Sequence, residues 1–274
     1  MHLIQKELID ATRFFYEYKD NHRLMRELEE KVSIYYEKTL KIIAGSPADV
    51  VLWGANYDDM LTYPPYFEKE ILPWLRRAAG TLGAAGKIVA THTDGENEKL
   101  LDLIRDCGAH VAESVTPWPM TKVRIEEYYR RWRDRLTIMG GIPESILSPD
   151  TATWEEFEAF MDNLFRSVAP GDRLILGTAD CTPPNADLDR LRRIAERVDQ
   201  EGRLPLIAGG GPIAAETLSR AEARLVPKPA AIFADVRQAV TDGDDQALKA
   251  AVERLVAHEI PGSDTLNQGM TPGM

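Results

Sequence analysis

Apolar positions along this chain alternate between two rhythms, short apolar runs and longer amphipathic stretches. Residues 1–44 are rich in helix formers, with Leu24, Leu28, Val32, Tyr35 and Leu40 recurring near helical spacing. ADVVLWGAN (48–56) then reads as a buried strand, and PPYFEKEILPWLRRAAG (64–80) as a helix with Pro near its start and Gly after its end. The unit repeats. Strands are expected at 87–94, 110–117, 136–143 and 173–181, and helices at 96–108, 122–135, 153–168 and 186–202. A sixth apolar run, RLPLIAGG (203–210), closes the series.

Apolar strands alternating with helices mean a parallel sheet, so the fold class is α/β. Two architectures fit: an open doubly wound sheet, or part of a (β/α)8 TIM-type barrel. Six strands are too few to close such a barrel. After Gly211 the texture changes, and 212–228 reads as a linker with Ala and Pro. Two further helices are expected over 232–260, joined at Asp242, Gly243 and Asp244.

Composition narrows the function. The 274 residues carry 33 Lys+Arg against 44 Asp+Glu, a net charge of −11, which disfavours a nucleic-acid partner. The run YYRRWRDR (128–135) accordingly reads as a solvated helix face with its aromatics tucked in. Only Cys107 and Cys181 are present, which excludes a disulfide scaffold and suits a reducing cytoplasm. The charged N-terminus is no signal peptide, and no apolar run is long enough to span a membrane. A cytoplasmic protein without a membrane partner is expected.

Candidate chemistry gathers at the carboxyl ends of the expected strands: Asn56, His92, Asp94, Glu113, Asp180 and Cys181. Both architectures place active sites there. His92 and Asp94 stand two apart and point to one side if extended. They suit a shared metal ion, an acid/base pair, or a simple cap on the next helix. Cys181 suits zinc or a small buried packing role. Glu113, in an otherwise small and apolar strand, needs a partner, reads as metal ligand or base, and fits equally a solvated strand end. Asn56, Tyr57 and Asp58 follow the first strand and would orient substrate or form an Asx turn. The triple glycine at 209–211 lacks phosphate-loop spacing, and Cys107 reads as packing.

Several segments together resemble the uroporphyrinogen decarboxylase superfamily. They are ADVVLWGANYDDM through PPYFEKEILPWLRR, THTDGENEKLLDLIRDCGAHVAESVTPWPM, LTIMGGIPESIL and LILGTADCTPPNADLDRL. The resemblance covers roughly residues 20–205 and implies a (β/α)8 barrel. It implies the corrinoid-dependent methyltransferase branch, since the Arg-rich motif and early Asp of the true decarboxylases have no counterpart. In that branch a His-x-Cys pair and a later Cys hold zinc. His92 and Cys181 match the first and third ligands, Asp94 stands where the second would be Cys, and Glu113 is an alternative ligand.

The tail, VRQAVTDGDDQALKAAVERLVAHEIPGSDTLNQGMTPGM, resembles the first helices of a corrinoid-binding module's helical cap. The domains expected are therefore a barrel portion (1–211), a linker (212–228) and a partial cap (229–274), as in fused chloromethane-type methyltransferases. The barrel is expected to be incomplete at its N-terminus, and the chain to be an internal piece of a longer fusion. The implied activity is methyl transfer between a small methyl donor and a cobalt corrinoid (cobalamin), on a partner protein or domain, assisted by zinc. Glu113 and Asp94 are the expected catalytic acids or bases. The rivals are a metal-independent lyase using the same two carboxylates, and a non-catalytic docking module for a corrinoid protein. Unpaired sheet edges would favour homo-oligomers.

Overall fold

The computed structural model describes residues 1–206 together with Gln246, Lys249 and Ala250. The chain divides into two compact units, Met1–Ile213 and Ala214–Met274. The described part of the second unit amounts to three helical residues. The expected linker, the corrinoid cap and most of the sixth apolar run therefore lie outside the described residues. Residues 203–206 carry no strand.

A π-helical turn (Ile4–Leu8) leads into α1 (Ala11–Asp20) and the long α2 (His22–Ala44). Asp10 starts α1 by accepting the Thr12 and Arg13 amides. Helix α2 buries Met25 and Leu40, while Leu24 and Tyr35 stay exposed. Of the expected stripe Leu40 is buried, whereas at the start of the helix the packed position is Met25 and not Leu24.

Five parallel strands follow: β1 (Val50–Leu52), β2 (Ile88–His92), β3 (Val111–Val115), β4 (Thr137–Ile142) and β5 (Leu174–Thr178). Each is shorter than the sequence suggests, because the flanking polar residues turn into loops. Between β1 and β2, α3 (Pro64–Tyr66) runs through a π turn (Phe67–Ile71) into α4 (Leu72–Ala84). The wide turn sits just ahead of Pro73, whose ring nitrogen cannot donate to the preceding turn. The later crossovers carry α5 (Leu101–Arg105), α6 (Ile125–Trp132) and α7 (Trp154–Ser167), and α8 (Leu188–Glu201) follows β5. Thr153 and Glu156 close a capping box at the start of α7.

The strands lie in the order β1-β2-β3-β4-β5. A doubly wound sheet reverses its order at a switch point, and this one does not. Right-handed crossovers in unbroken succession put all helices on one face, which is the winding of a β/α barrel. Among the described residues the sheet remains open.

The two faces differ. Val51, Val89, Ala112 and Ile138 are buried on the helical side, where α4 packs on β2 and α6 on β4. In α6, Tyr128, Tyr129 and Trp132 are buried while its arginines reach outward, as the sequence suggests. The Trp132 indole donates to the Leu101 carbonyl at 2.8 Å. On the opposite face Val50, Ile88, Met139 and Ile175 are exposed. That face carries His92 and Glu113, which pair in register.

Candidate metal centre and active site

The site is assembled where the strands end. His92 is the last residue of β2, and Glu113 sits beside it in β3. Ring Nδ1 lies 2.6 Å from Glu113 Oε2. With Nδ1–H donating to the carboxylate, Nε2 carries the free lone pair. This is how a metal-ligating histidine is usually held from behind.

Directly after Glu113 the backbone departs from the ladder. Ser114 takes φ 62°, the register shifts between Ala112 and Val115, and the Ser114 hydroxyl donates to the Ala179 carbonyl at 2.5 Å. This bulge ties β3 to the loop after β5 and aims both ends at one place. The close approach of β4 is possible because position 140 is Gly. A Cβ there would stand 2.8 Å from the Val115 nitrogen and oxygen, at a φ of +130°.

Asp94 lies two residues beyond β2. Both of its oxygens are oriented: Asn56 Nδ2 donates to Oδ2 at 2.8 Å, and Thr116 Oγ1 donates to Oδ1 at 2.9 Å. Asp180 and Cys181 follow β5, and Glu144 follows β4. The Cys181 amide donates to Glu144 Oε1 at 3.2 Å, and its thiol donates to Asp180 Oδ2 at 3.0 Å.

Two donor groups result. Ligand atoms of His92, Asp94 and Asp180 lie within 4.8 Å of one another, as do those of Glu144, Asp180 and Cys181. Asp180 is common to both. His92 and Cys181 thus reach the same neighbourhood through Asp180, not as members of one trio. Glu113 belongs to neither trio; its carboxylate is engaged on the back of the imidazole.

The electrostatics favour a cation. Among the described residues no lysine or arginine pairs with Asp94, Glu113, Glu144 or Asp180. Burial, and then the nearby Asp180, raise the Glu144 carboxyl above its usual range. The hydrogen bond to Asp180, with the charges of Asp180 and Glu144, raises the Cys181 thiol. Burial is the larger cause for Glu144 and the neighbouring carboxylates the larger cause for Cys181.

Of the three residues expected to orient substrate, only Asn56 reaches this cluster. Tyr57 is fully buried, and its hydroxyl is bonded to Thr91 Oγ1 at 2.8 Å. Asp58 folds its own loop, accepting the Met60 and Leu61 amides. Cys107 is buried, in keeping with packing.

Glu144, and the place of Asp180 in both donor groups, escaped the reading of motifs. A positional signal was available. Asp94, Glu144 and Asp180 each stand two residues past the end of their strands, at His92, Ile142 and Thr178.

Neither a protein-family model nor a curated protein sequence matches the chain. Among solved structures, a methyltransferase from Methanosarcina mazei is similar, with a TM-score of 0.54 and 15% identity. The match covers 71% of this chain and 54% of that one, so the chain spans about half the length of the structure it matches. At this identity the likeness is one of fold. No helix among the described residues is long and apolar enough to cross a membrane.

Proposed function

We propose that this chain moves a methyl group between a small methyl donor and a cobalt corrinoid, with a zinc ion held at the strand ends. The observation that carries this reading is the trio His92, Asp94 and Asp180, with Glu113 on the far nitrogen of the imidazole. One nitrogen and two carboxylates are an acceptable catalytic donor set for zinc, which leaves a position open for substrate. Cys181, bonded to Asp180, offers a thiolate in place of one carboxylate. When bound, zinc supplies a Lewis acid that polarises the donor's heteroatom.

The chain's own residues do the rest. His92, Asp94 and Asp180 hold the ion, and Glu113 keeps the imidazole in the ligating tautomer. Asn56 and Thr116 fix the orientation of Asp94. Transfer would break the bond between methyl carbon and heteroatom, leave that electron pair on the heteroatom, which then needs one proton, and join the methyl carbon to the corrinoid cobalt through an electron pair that a reduced corrinoid brings. Glu144, which accepts the Cys181 amide and stands with Asp180 in the second donor group, is the carboxyl we assign to carry that proton. The corrinoid is the methyl carrier, borne by a partner protein or domain; support for it comes from the resemblance of the tail to a corrinoid-module cap.

The test is a metal assay with a transfer assay. The purified chain should hold zinc, and the His92→Ala, Cys181→Ala double variant should lose it together with methyl transfer to a free corrinoid. Full activity in a metal-free protein would sink the reading and favour the lyase alternative.

A further inference from the structure

A cavity of about 320 Å³ lies between the N-terminal segment, α2, the end of β1 and the start of α4. It shares no residue with either strand-end donor group, and the methyl-transfer reading makes no use of it. Three elements each bring one large aromatic side chain to its wall: Tyr36 from α2, Trp53 from just past β1, and Trp74 from α4. Tyr36 and Trp53 meet edge to face, with ring centroids 5.3 Å apart.

The charged groups in the wall fall into two sets. Glu29 and Glu70 are already spent. Glu29 takes the Met1 amine at 2.9 Å and Arg26 at 2.5 Å, and Glu70 takes Tyr18 at 2.6 Å and Arg26 at 2.8 Å. Lys6 and Glu7, on the π-helical turn, are exposed, and their side chains have no ion-pair or hydrogen-bond partner among the described residues. Both charges are felt in the wall. Burial, then Tyr35 and Glu7, raise the Tyr36 hydroxyl, while burial and then Lys6 lower His2, also in the wall, to about 3. An unpaired ammonium and an unpaired carboxylate thus share the rim of an aromatic cavity.

We propose that this cavity binds a free aromatic α-amino acid, its ring among Tyr36, Trp53 and Trp74, its carboxylate on Lys6 and its ammonium on Glu7. Size fits: a dry cavity of about 150 Å³ already accepts benzene, so the space here takes a ring with a short zwitterionic tail. Ring edges and faces in the wall recognise another ring. Charge decides the rest. A plain arene leaves both rim charges unused, an arylamine meets Lys6 as a like charge, and an aryl carboxylate meets Glu7 as one. On an α-amino acid the two opposite charges hang from one carbon, and Lys6 and Glu7 are neighbours in the chain.

The experiment is calorimetric titration of the full chain with L-tryptophan, tryptamine, indole-3-propionate and L-leucine. L-Tryptophan should bind saturably and tightest of the four. Lys6→Gln should weaken it about threefold or more and leave tryptamine, which has no carboxylate, unchanged. Glu7→Gln should do the same and leave indole-3-propionate, which has no ammonium, unchanged. Trp74→Ala should cost about tenfold for every indole, with its melting profile compared to that of the unaltered chain. His92→Ala should bind L-tryptophan as the unaltered chain does. No saturable heat with L-tryptophan, equal affinity for any of the other three compounds, or indifference to both rim variants would overturn the assignment. A loss in His92→Ala would move the ligand to the strand ends and overturn it as well.

Discussion

Glu113 holds His92 by its ring Nδ1, 2.6 Å from Oε2, and so leaves Nε2 as the nitrogen free to take a ligand. The pairing follows from register, because His92 and Glu113 are direct neighbours on β2 and β3. A carboxylate in this place fixes the tautomer and raises the basicity of the free nitrogen. Glu113→Gln is expected to leave the stoichiometry at one ion and to weaken zinc about 10–100-fold. His92→Ala should abolish binding. Competition with a chromophoric chelator measures both. Equal losses in the two variants would make Glu113 a direct ligand.

Asp180 bonds the Cys181 thiol and raises it, so the free thiol should alkylate slowly at neutral pH. Asp180→Asn removes the charge, and Cys181 should then react several-fold faster with iodoacetamide. Zinc should protect the unaltered chain. Cys107 is buried and serves as an internal control in the peptide map. An unchanged rate in Asp180→Asn would mean that the carboxylate does not govern the thiol.

The strand–helix alternation was legible because period and composition change together at each boundary, as at Thr153, where the capping box starts α7 just after a Pro-Asp turn. Strand order was not legible: sequence allows a switch point, and the unbroken order β1 to β5 is a property of packing. His92, Asp94 and Cys181 could be found by motif. Glu144 could not, since Pro143-Glu144 reads as an ordinary helix start, and it gains meaning only beside the Cys181 amide. Tyr57 misled for the opposite reason. It follows Asn56 in sequence, yet its ring turns inward onto Thr91.

Acid should destabilise this chain through two groups near the N-terminal helices. Burial, with Lys6 nearby, lowers His2 from 6.5 to about 3. The unfolded chain therefore takes up a proton first, and stability falls as pH drops from 6.5 towards 3. At pH 5 the loss from this group is about 2 kcal/mol. Glu70 is buried, which alone would raise it, but hydrogen bonds from Arg26 and Tyr18 hold it below the usual range. Its contribution is present above 4.5 and is lost as pH falls through the folded value. Urea melts between pH 7.5 and 4 check both. His2→Leu should flatten the slope between pH 6.5 and 4.5, and Glu70→Gln should flatten it only below that. An unaltered slope in His2→Leu would show that this ring is protonated in the folded state.

Two glycines in adjacent strands should respond differently to the same substitution. Gly140 combines φ +130° with a Cβ position 2.8 Å from the backbone of Val115, so a methyl group would force β3 and β4 apart. Gly177, in β5, has open space where its Cβ would go and no such backbone constraint. Gly140→Ala is expected to lower stability by about 3 kcal/mol, through backbone strain and a steric clash with backbone that cannot yield. Gly177→Ala should be neutral, or gain slightly by restricting the unfolded chain. Because the strained contact lies beside the Ser114 bulge, Gly140→Ala should also loosen the link from Ser114 to Ala179. Zinc affinity should fall with stability in that variant and stay unchanged in Gly177→Ala. Thermal melts with and without zinc separate the two effects. A stable, zinc-tight Gly140→Ala chain would mean that the bulge does not set the geometry of the mouth.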